Sequence, residues 1–398
     1  MQIVQNKIQT KFKKIFELVT QSDFSWAIWR VPHQTTQHLI IDNDESIKWL
    51  DGEIEQAKSG FAISPFINPN IEKTYWIDAN IHWAYSPKDD TFEEKNNHKS
   101  IDIQSFIEEK LQKNKKNDWR KKCKNVNIQH QNEKENHIDL VKKGVEAIRD
   151  KQFQKVVLSR KKIIEYPKNF ELWNAYQNLC TQYPNAFCYI FHLPTIGMWM
   201  GASPEILIHT DKNNIFKTVA LAGTQKYSPE IPANQIVWGQ KEIEEQAMVS
   251  RYIINCFKKI RLREFEEEGP KTEVAGNLVH LKTFFEVDMK TTNFIQLGSV
   301  MLKLLHPTSA VCGMPKDATE KFILENENYN REFYSGFLGP VNIDNETTLF
   351  VNLRCLQFFE NVLQLYAGGG ITEDSIPEKE WLETELKYQT LLEVLNKK

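Results

Sequence analysis

Several common signatures of function are missing from this 398-residue sequence. No apolar run approaches the roughly 18 residues of a membrane-spanning helix, so none is predicted. The amino-terminal stretch lacks the apolar core and small-residue cleavage site of a signal peptide, so we expect a cytoplasmic protein. A Walker loop, a dinucleotide fingerprint, a Gly-x-Ser-x-Gly elbow and an internal repeat are also absent. These absences exclude the commonest nucleotide-binding and hydrolase motifs.

Cysteine and net charge are low as well. The six cysteines are scattered without the paired spacing of a zinc site, and we interpret them as reduced thiols. Fifty basic and fifty-three acidic residues leave a formal net charge of −3. Such a balance produces no overall field that would favour nucleic acid or an anionic membrane. We therefore expect neither as a partner.

The first 137 residues change in character at about residue 88. Helical spacing covers 2–20, and short aromatic strands are predicted at 24–32, 60–66 and 74–86. Residues 88–137 are rich in charge and poor in apolar side chains, and they include the cationic run 110–124. That run is typical of a phosphate-binding patch or of a solvated connection, and the acidic residues nearby favour the solvated connection. We expect 1–137 to be the amino-terminal part of one body, with 88–137 as a charged connecting segment.

Helices and strands follow each other in blocks from residue 138 onward. Long helices are predicted at 239–268, 289–305 and 377–395. Strands are predicted as neighbouring pairs, at 186–193 with 198–210 and at 348–360 with 362–371. Adjacent strands in hairpins beside long helices favour the α+β class with antiparallel sheets over regular βαβ winding.

Two predicted helices each carry a pair of glutamates three residues apart. Glu242 and Glu245 form one pair, and Glu380 and Glu383 form the other. This spacing places both carboxylates of a pair on one helix face. Four converging carboxylates would suit Mg²⁺, although each pair alone is more typical of a solvated acidic face. The glycine-rich YAGGGI at 366–371 favours a ligand site, since glycines allow close backbone approach.

Four further side chains are candidates for chemistry. Lys155 opens an apolar strand, where a lysine is either a solvated edge residue or a buried base. Glu205 stands before an apolar run, which fits an outward-facing glutamate or a general acid of raised pKa. Arg354 is flanked by apolar residues and needs an anionic partner if buried. His280 could contact a substrate or be a core histidine, and its local sequence favours the core.

Nine short motifs occur in a fixed order between residues 138 and 396. They are KVVLSR (155–160), GASPEIL (201–207), LAGT (221–224), KEIEEQAMV (241–249), HPTSAVCGMPKDAT (306–319), NREFYSGFLG (330–339), LRC (353–355), AGGGI (367–371) and EWLETELK (380–387). Together they resemble the motifs of the chorismate-utilising enzymes, which include isochorismate, salicylate, anthranilate and aminodeoxychorismate synthases. The resemblance implies two large, mainly antiparallel sheets packed together with helices outside, and 138–398 as the chorismate-binding catalytic domain.

The same resemblance implies the reaction and its cofactor. Family members use Mg²⁺ and displace the C4 hydroxyl of chorismate. Isochorismate and salicylate synthases have a water-activating lysine at the position of Lys155, whereas anthranilate synthases have glutamine there. Aminodeoxychorismate synthases carry a nucleophilic lysine where this chain has Ala222. Both positions indicate water as the nucleophile.

Roles for individual residues are carried over from the matching motifs. Lys155 is expected to activate water and Glu205 to protonate the leaving hydroxyl. Mg²⁺ is expected to bind Glu245 and Glu383 directly and Glu242 and Glu380 through water. The substrate-binding residues implied by the resemblance are Gly223, Thr224, His280, Tyr334, Arg354, Gly368, Gly370 and Lys387.

The motifs most resemble those of isochorismate synthases. Such an enzyme adds water at C2 of chorismate, and its product feeds menaquinone or siderophore biosynthesis. Salicylate synthase, which goes on to release pyruvate, is the alternative. A nucleic-acid-binding protein on an inactive scaffold is the alternative outside enzymes. No exposed heptad pattern demands a partner chain, so a monomer is expected.

Overall fold

The computed structural model describes residues 2–68, 73–95, 106, 109, 118–126, 132–227, 230, 232–275 and 278–397. Residues 110–117 of the predicted cationic run lie outside this set, as do the side chains of Ala222 and Thr224. Among the described residues, no helix is both long and apolar enough to cross a membrane.

Seven α-helices surround the strands in the described part of the chain. They are α1 (Gln2–Thr20), α2 (Glu133–Arg149), α3 (Leu172–Gln182), α4 (Gln240–Lys259), α5 (Leu297–Leu305), α6 (Lys316–Asn326) and α7 (Pro377–Leu395). The sequence of α7 shows why a helix begins at Pro377 and which face it buries. Pro377 occupies its first turn, where a missing N–H is harmless, and Tyr388, Leu391 and Leu395 then line one buried face.

Nineteen strands of the described chain form two sheets, and every strand pair is antiparallel. The first sheet has the order β15-β8-β19-β18-β10-β9-β1-β2-β6-β7 and the second has β13-β14-β12-β11-β17-β16-β4-β5-β3. The bounds in the first sheet are β1 (Trp26–Arg30), β2 (Gln37–Ile41), β6 (Ile81–Ser86), β7 (Thr91–Lys95), β8 (Lys155–Glu165), β9 (Phe187–Leu193), β10 (Gly197–Ser203), β15 (Gly313–Met314), β18 (Cys355–Phe358) and β19 (Val362–Ile371). Those in the second are β3 (Lys48–Trp49), β4 (Gly60–Ser64), β5 (Tyr75–Asp78), β11 (Ile206–Thr210), β12 (Ile215–Lys226), β13 (Glu266–Ala275), β14 (Leu278–Asp288), β16 (Phe337–Val341) and β17 (Thr347–Val351).

The two sheets pack face to face, with helices on their outer surfaces. Aromatic side chains fill the space between the sheets, and Phe187 of the first stacks on Phe350 of the second with ring centroids 4.1 Å apart. Outside the first sheet, α1, α3 and α7 bury Phe12, Tyr176 and Tyr388 in another core. Helices α4 and α5 cover the second sheet. The predicted α+β class and sheet arrangement are confirmed.

The chain passes between the sheets at several places, and two neighbouring crossovers each carry a predicted site residue. Glu205 lies between β10 and β11, and Arg354 lies between β17 and β18. Because β10 pairs with β18 and β11 pairs with β17, the crossovers run side by side. Backbone hydrogen bonds tie them together: Ala202 N–H donates to the Arg354 carbonyl (3.1 Å), and Val351 N–H donates to the Glu205 carbonyl (3.0 Å).

Passages of the chain from one sheet to the other explain three errors in the predicted strands. The single strand predicted at 74–86 is wrong, because β5 and β6 belong to different sheets and are joined by 79–80. The runs 198–210 and 348–360 are divided between the sheets in the same way. A continuous apolar run does not show where a chain leaves one sheet for the other.

Two predicted helices are shorter than expected. The helix predicted at 239–268 ends at Lys259, and Glu266 begins β13, which pairs with β14. The helix predicted at 289–305 begins only at Leu297. In the first case, strand pairing overrides the helix propensity of an acidic run. Helices α1 and α7 match their predicted bounds.

Candidate active site

Lys155 is buried at the start of β8, with 7% of the residue exposed. Its side chain runs past Gly370 on the adjacent strand β19. A Cβ atom at position 370 would lie 2.8 Å from Lys155 Cε and 3.3 Å from Nζ, so a larger residue would displace the amine. The solvated-edge interpretation of Lys155 is therefore wrong.

Glu205 is also buried, with 8% of the residue exposed. Burial raises the pKa of its carboxyl group to about 7, although the nearby charges of Lys155 and Arg354 act in the opposite direction. The carboxyl therefore exchanges its proton near neutral pH, as a general acid should. The amine and the carboxyl are electrostatic neighbours although fifty positions separate them in the sequence.

Arg354 stands at the centre of the candidate residues. Its half-buried guanidinium is close enough to Tyr334, Glu383 and Glu205 for their charges to affect its pKa, which burial lowers. Within the described residues, no hydrogen bond or ion pair satisfies this guanidinium. Its backbone has φ of +49°, a strained region for a residue other than glycine. An anionic ligand is the partner that such an arginine lacks.

Tyr334 lies on one side of this arginine. Its ring stacks on Tyr366 with centroids 5.5 Å apart, and burial raises the pKa of its hydroxyl to about 12, so the hydroxyl stays protonated as a donor. A Cβ atom at Gly368 would lie 2.9 Å from the Tyr334 hydroxyl oxygen. Glycine at 368 thus lets the tyrosine approach β19.

His280 and Gly223 come together on the second sheet. The His280 imidazole donates a hydrogen bond to the Gly223 backbone, while burial and then Arg354 lower the histidine pKa. Gly223 lies in a bulge of β12 with φ of +66°, a conformation that favours glycine. Thr224 pairs with His280 in the strand register.

Helix α7 brings Glu380, Glu383 and Lys387 to the same region. A Cβ atom at Gly369 would lie 3.2 Å from Glu380 Oε2 and 3.7 Å from Glu383 Oε1, so both carboxylates face one glycine. Lys387 forms a 2.6 Å ion pair with Glu383 and donates to the Gly368 carbonyl at 2.6 Å. Burial lowers the Lys387 pKa, and Arg354 contributes to this.

The second glutamate pair lies on α4. Glu242 packs against Gly223, where a Cβ atom would be 3.1 Å from Glu242 Cβ, and Glu245 is half-buried one turn later. In the described part of the chain, no three His, Cys, Asp or Glu side chains form a ready metal-binding group. The convergence of Glu380 and Glu383 still fits Mg²⁺, which typically takes one or two carboxylates with water and substrate oxygens.

One buried ion pair beside the site was not predicted from the sequence. Arg331 donates to Glu327 at 2.6 Å and to the Val157 carbonyl of β8 at 2.7 Å. Both side chains are only 2% exposed. Glu327 in turn accepts from the N–H of Ser159 (2.7 Å), which is opposite Gly368 in the strand register. The pair therefore ties the segment 327–331 to β8 next to Tyr334.

A cavity of about 440 Å³ borders Ser159 and Glu327 on the side away from the predicted site residues. Its lining includes His137, Arg160 and Tyr329, but none of the predicted site residues. Arg160 is already paired with Glu385. The convergence of Lys155, Glu205 and Arg354 is the stronger evidence for an active site. The charges of Lys155 and Arg354 act on the Glu205 carboxyl, and among the described residues no hydrogen bond or ion pair satisfies the guanidinium.

Known proteins resemble this chain in sequence and in fold. A family model described as "Chorismate binding enzyme" matches residues 55–396. Isochorismate synthase EntC of Escherichia coli (strain K12) is 30% identical over 250 residues, which cover 61% of this chain and 62% of that protein. Isochorismate synthase DhbC of Bacillus subtilis (strain 168) is 26% identical over 276 residues, or 66% of this chain and 68% of that protein.

The fold is similar to that of a solved structure as well. MenF, the menaquinone-specific isochorismate synthase from Escherichia coli, superposes with a TM-score of 0.74 at 18% sequence identity. The match covers 96% of this chain and 91% of that chain. At this identity the likeness concerns the fold. The two antiparallel sheets and their helices are thus shared with that enzyme.

Proposed function

The chain belongs to the chorismate-binding enzyme family, and on that premise we propose that it is an isochorismate synthase. The substrate is chorismate, and the product supplies menaquinone or siderophore biosynthesis. In the proposed reaction water adds to C2 of the ring, the double bonds shift, and the C4 hydroxyl leaves as water. One water enters and one leaves, so the reaction is an isomerisation.

The observation that carries this proposal is the juxtaposition of Lys155 and Glu205 beside Arg354. Lys155 takes a proton from the attacking water. Glu205 gives a proton to the departing hydroxyl, for which a pKa of about 7 is well matched at neutral pH. A lysine that activates water also accounts for the choice of water over ammonia, as the resemblance at position 155 implies.

Arg354 and Tyr334 hold a carboxylate of the substrate. The guanidinium offers two parallel N–H donors, and the protonated tyrosine hydroxyl adds another. The backbone N–H groups of Gly368 and Gly370 are close to this place, and Gly223 and His280 border the ring. Both carboxylates of chorismate would thus face hydrogen-bond donors or positively charged groups.

Mg²⁺ is part of the proposal. Glu380 and Glu383 with Glu242 and Glu245 would hold the ion, and Lys387 would offset part of their negative charge. When bound, Mg²⁺ supplies positive charge that neutralises the second carboxylate of chorismate. The protein's own contribution is to hold the Glu380 and Glu383 carboxylates beside Gly369.

Incubation of the purified protein with chorismate and Mg²⁺, followed by chromatography of the products, tests the function. We expect isochorismate as the product, without salicylate or pyruvate and without anthranilate when ammonium is added. Salicylate together with pyruvate would instead identify a salicylate synthase. Unchanged chorismate after prolonged incubation of the folded protein would contradict the proposal.

A further inference from the structure

Two of the six cysteines lie against each other, away from the candidate active site. Cys180 is in the last turns of α3, and Cys188 is the second residue of β9. The Cys188 Sγ approaches the carbonyl of Leu179, the residue before Cys180, at 3.6 Å and the carbonyl of Tyr183 at 3.7 Å. The thiol of Cys188 is thus enclosed by the end of α3, and a side-chain hydrogen bond joins it to Cys180.

One guanidinium touches both cysteines. Arg30 lies opposite Cys188 in the pairing of β1 with β9. Its Nη2 atom donates to Cys188 Sγ at 3.1 Å and to the Cys180 carbonyl at 3.4 Å. Arg30 is itself only 3% exposed, so its charge acts in a poorly solvated place. Arg30 also forms a side-chain hydrogen bond with Cys180, and a permanent cation in contact with a thiol favours the thiolate form.

Cys180 differs from the other five cysteines in exposure and in acidity. It is partly exposed, whereas Cys123, Cys188, Cys256, Cys312 and Cys355 are buried. Burial raises the pKa of Cys180, but the hydrogen bond from Cys188 and the charge of Arg30 outweigh it and lower the pKa overall. Burial raises the pKa of the other five. Exposure and thiolate character are the two conditions for oxidation by peroxide.

We propose that Cys180 and Cys188 form a reversible peroxide-sensitive thiol pair. The Cys180 thiolate attacks hydrogen peroxide, an S–O bond forms, the O–O bond breaks, and hydroxide leaves to become water. The Cys188 sulfur then attacks the sulfenic acid on Cys180, the S–S bond forms, and the S–O bond breaks. The proton of Cys188 leaves with the departing oxygen as a second water. Two electrons pass from the two thiols to one peroxide.

Peptide mapping after peroxide treatment tests this pair in the full-length protein. Chymotryptic cleavage after Phe187 separates the cysteines, so the disulfide appears as two peptides linked under non-reducing conditions. We expect two of the six thiols to be lost to alkylation and to return after dithiothreitol. Six alkylatable thiols after treatment, or a disulfide to another cysteine, would overturn the proposal.

One variant stops the reaction before the disulfide forms, and a second variant serves as its control. In Cys188→Ala the sulfenic acid on Cys180 has no partner, so we expect labelling of Cys180 by dimedone and no linked peptides. In Cys256→Ala, which removes a buried thiol of α4, the yield of the linked peptides should equal that of the unaltered protein. Dimedone labelling spread evenly over several cysteines would contradict the special reactivity of Cys180. None of these readouts depends on turnover of chorismate.

Discussion

Replacing Glu205 with glutamine should change how the stability of the protein depends on pH. In the folded protein, burial raises the pKa of this carboxyl from its ordinary value of 4.5 to about 7. The folded state therefore holds the proton more tightly than the unfolded chain does. The contribution of Glu205 to the free energy of unfolding is full below pH 4.5 and is lost as the pH rises through 7.

The magnitude follows from the same two pKa values. Between pH 5 and pH 8 the unaltered protein should lose about 2 to 3 kcal/mol that Glu205→Gln, which cannot titrate, retains. Groups remote from position 205 titrate alike in both proteins, so the difference between them reports Glu205 and its electrostatic coupling to Lys155 and Arg354. The free energy of unfolding in urea, followed by tryptophan fluorescence at several pH values, measures this difference.

A matched control is available on the surface. Glu45 is exposed, and its replacement by glutamine should leave the pH profile of the unaltered protein nearly unchanged. Parallel profiles for Glu205→Gln and the unaltered protein would show that the carboxyl is ionised in the folded state at neutral pH. The assignment of Glu205 as the proton donor would then be wrong.

Four further predictions concern the amine, the arginine, the metal and the buried ion pair. Lys155→Ala should lower kcat at least about 100-fold, since a proton-transfer group typically contributes 10²–10⁴-fold. Arg354→Lys should raise the KM for chorismate about 10- to 100-fold, because a single ammonium cannot form the two parallel bonds of a guanidinium. EDTA should abolish turnover, and added Mg²⁺ should restore it. Arg331→Met should lower the free energy of unfolding in urea by about 3–5 kcal/mol, since it leaves the Glu327 carboxylate buried without its partner.

Replacements of exposed lysines provide the controls for two of these tests. Lys168 is exposed, and Lys168→Ala should leave kcat and KM unchanged. Lys321 pairs with Glu325 four positions later on the surface, at 3.8 Å, so Lys321→Met should change stability by less than about 1 kcal/mol. Near-normal turnover of Lys155→Ala, an unchanged KM in Arg354→Lys or EDTA-resistant activity would each remove the corresponding assignment. Equal losses of stability in Arg331→Met and Lys321→Met would contradict the importance of burial.

The fold was predictable where local pattern and tertiary structure agree. The periodic apolar face of α7 and the paired strands β9 and β10 could be read directly from the sequence. The passage of the chain from one sheet to the other could not, because the residues around Glu205 and Arg354 read as continuous strands. The position of these crossovers depends on the pairing of β10 with β18 and of β11 with β17. Local sequence does not reveal which strands pair.

The candidate site could be predicted from the order of the motifs but not from local sequence alone. Local sequence favoured a solvated edge for Lys155 over a buried base, and the motifs in their family order supplied the functional interpretation. The structure adds the burial of Lys155 and Glu205 and the influence of the Lys155 and Arg354 charges on the Glu205 carboxyl. The Arg331–Glu327 pair escaped prediction because a spacing of four residues is typical of exposed helical pairs. A charged residue within the NREFYSG motif was the only available signal.

Turnover of chorismate in ¹⁸O-labelled water, with mass spectrometry of the ring hydroxyl, examines the proposed chemistry most directly. If the amine of β8 activates solvent while the carboxyl at the sheet crossover releases the original hydroxyl, each product molecule carries one solvent oxygen at C2. A product that retains the original oxygen would show that the hydroxyl migrates without solvent. The opposed base and acid would then have no role.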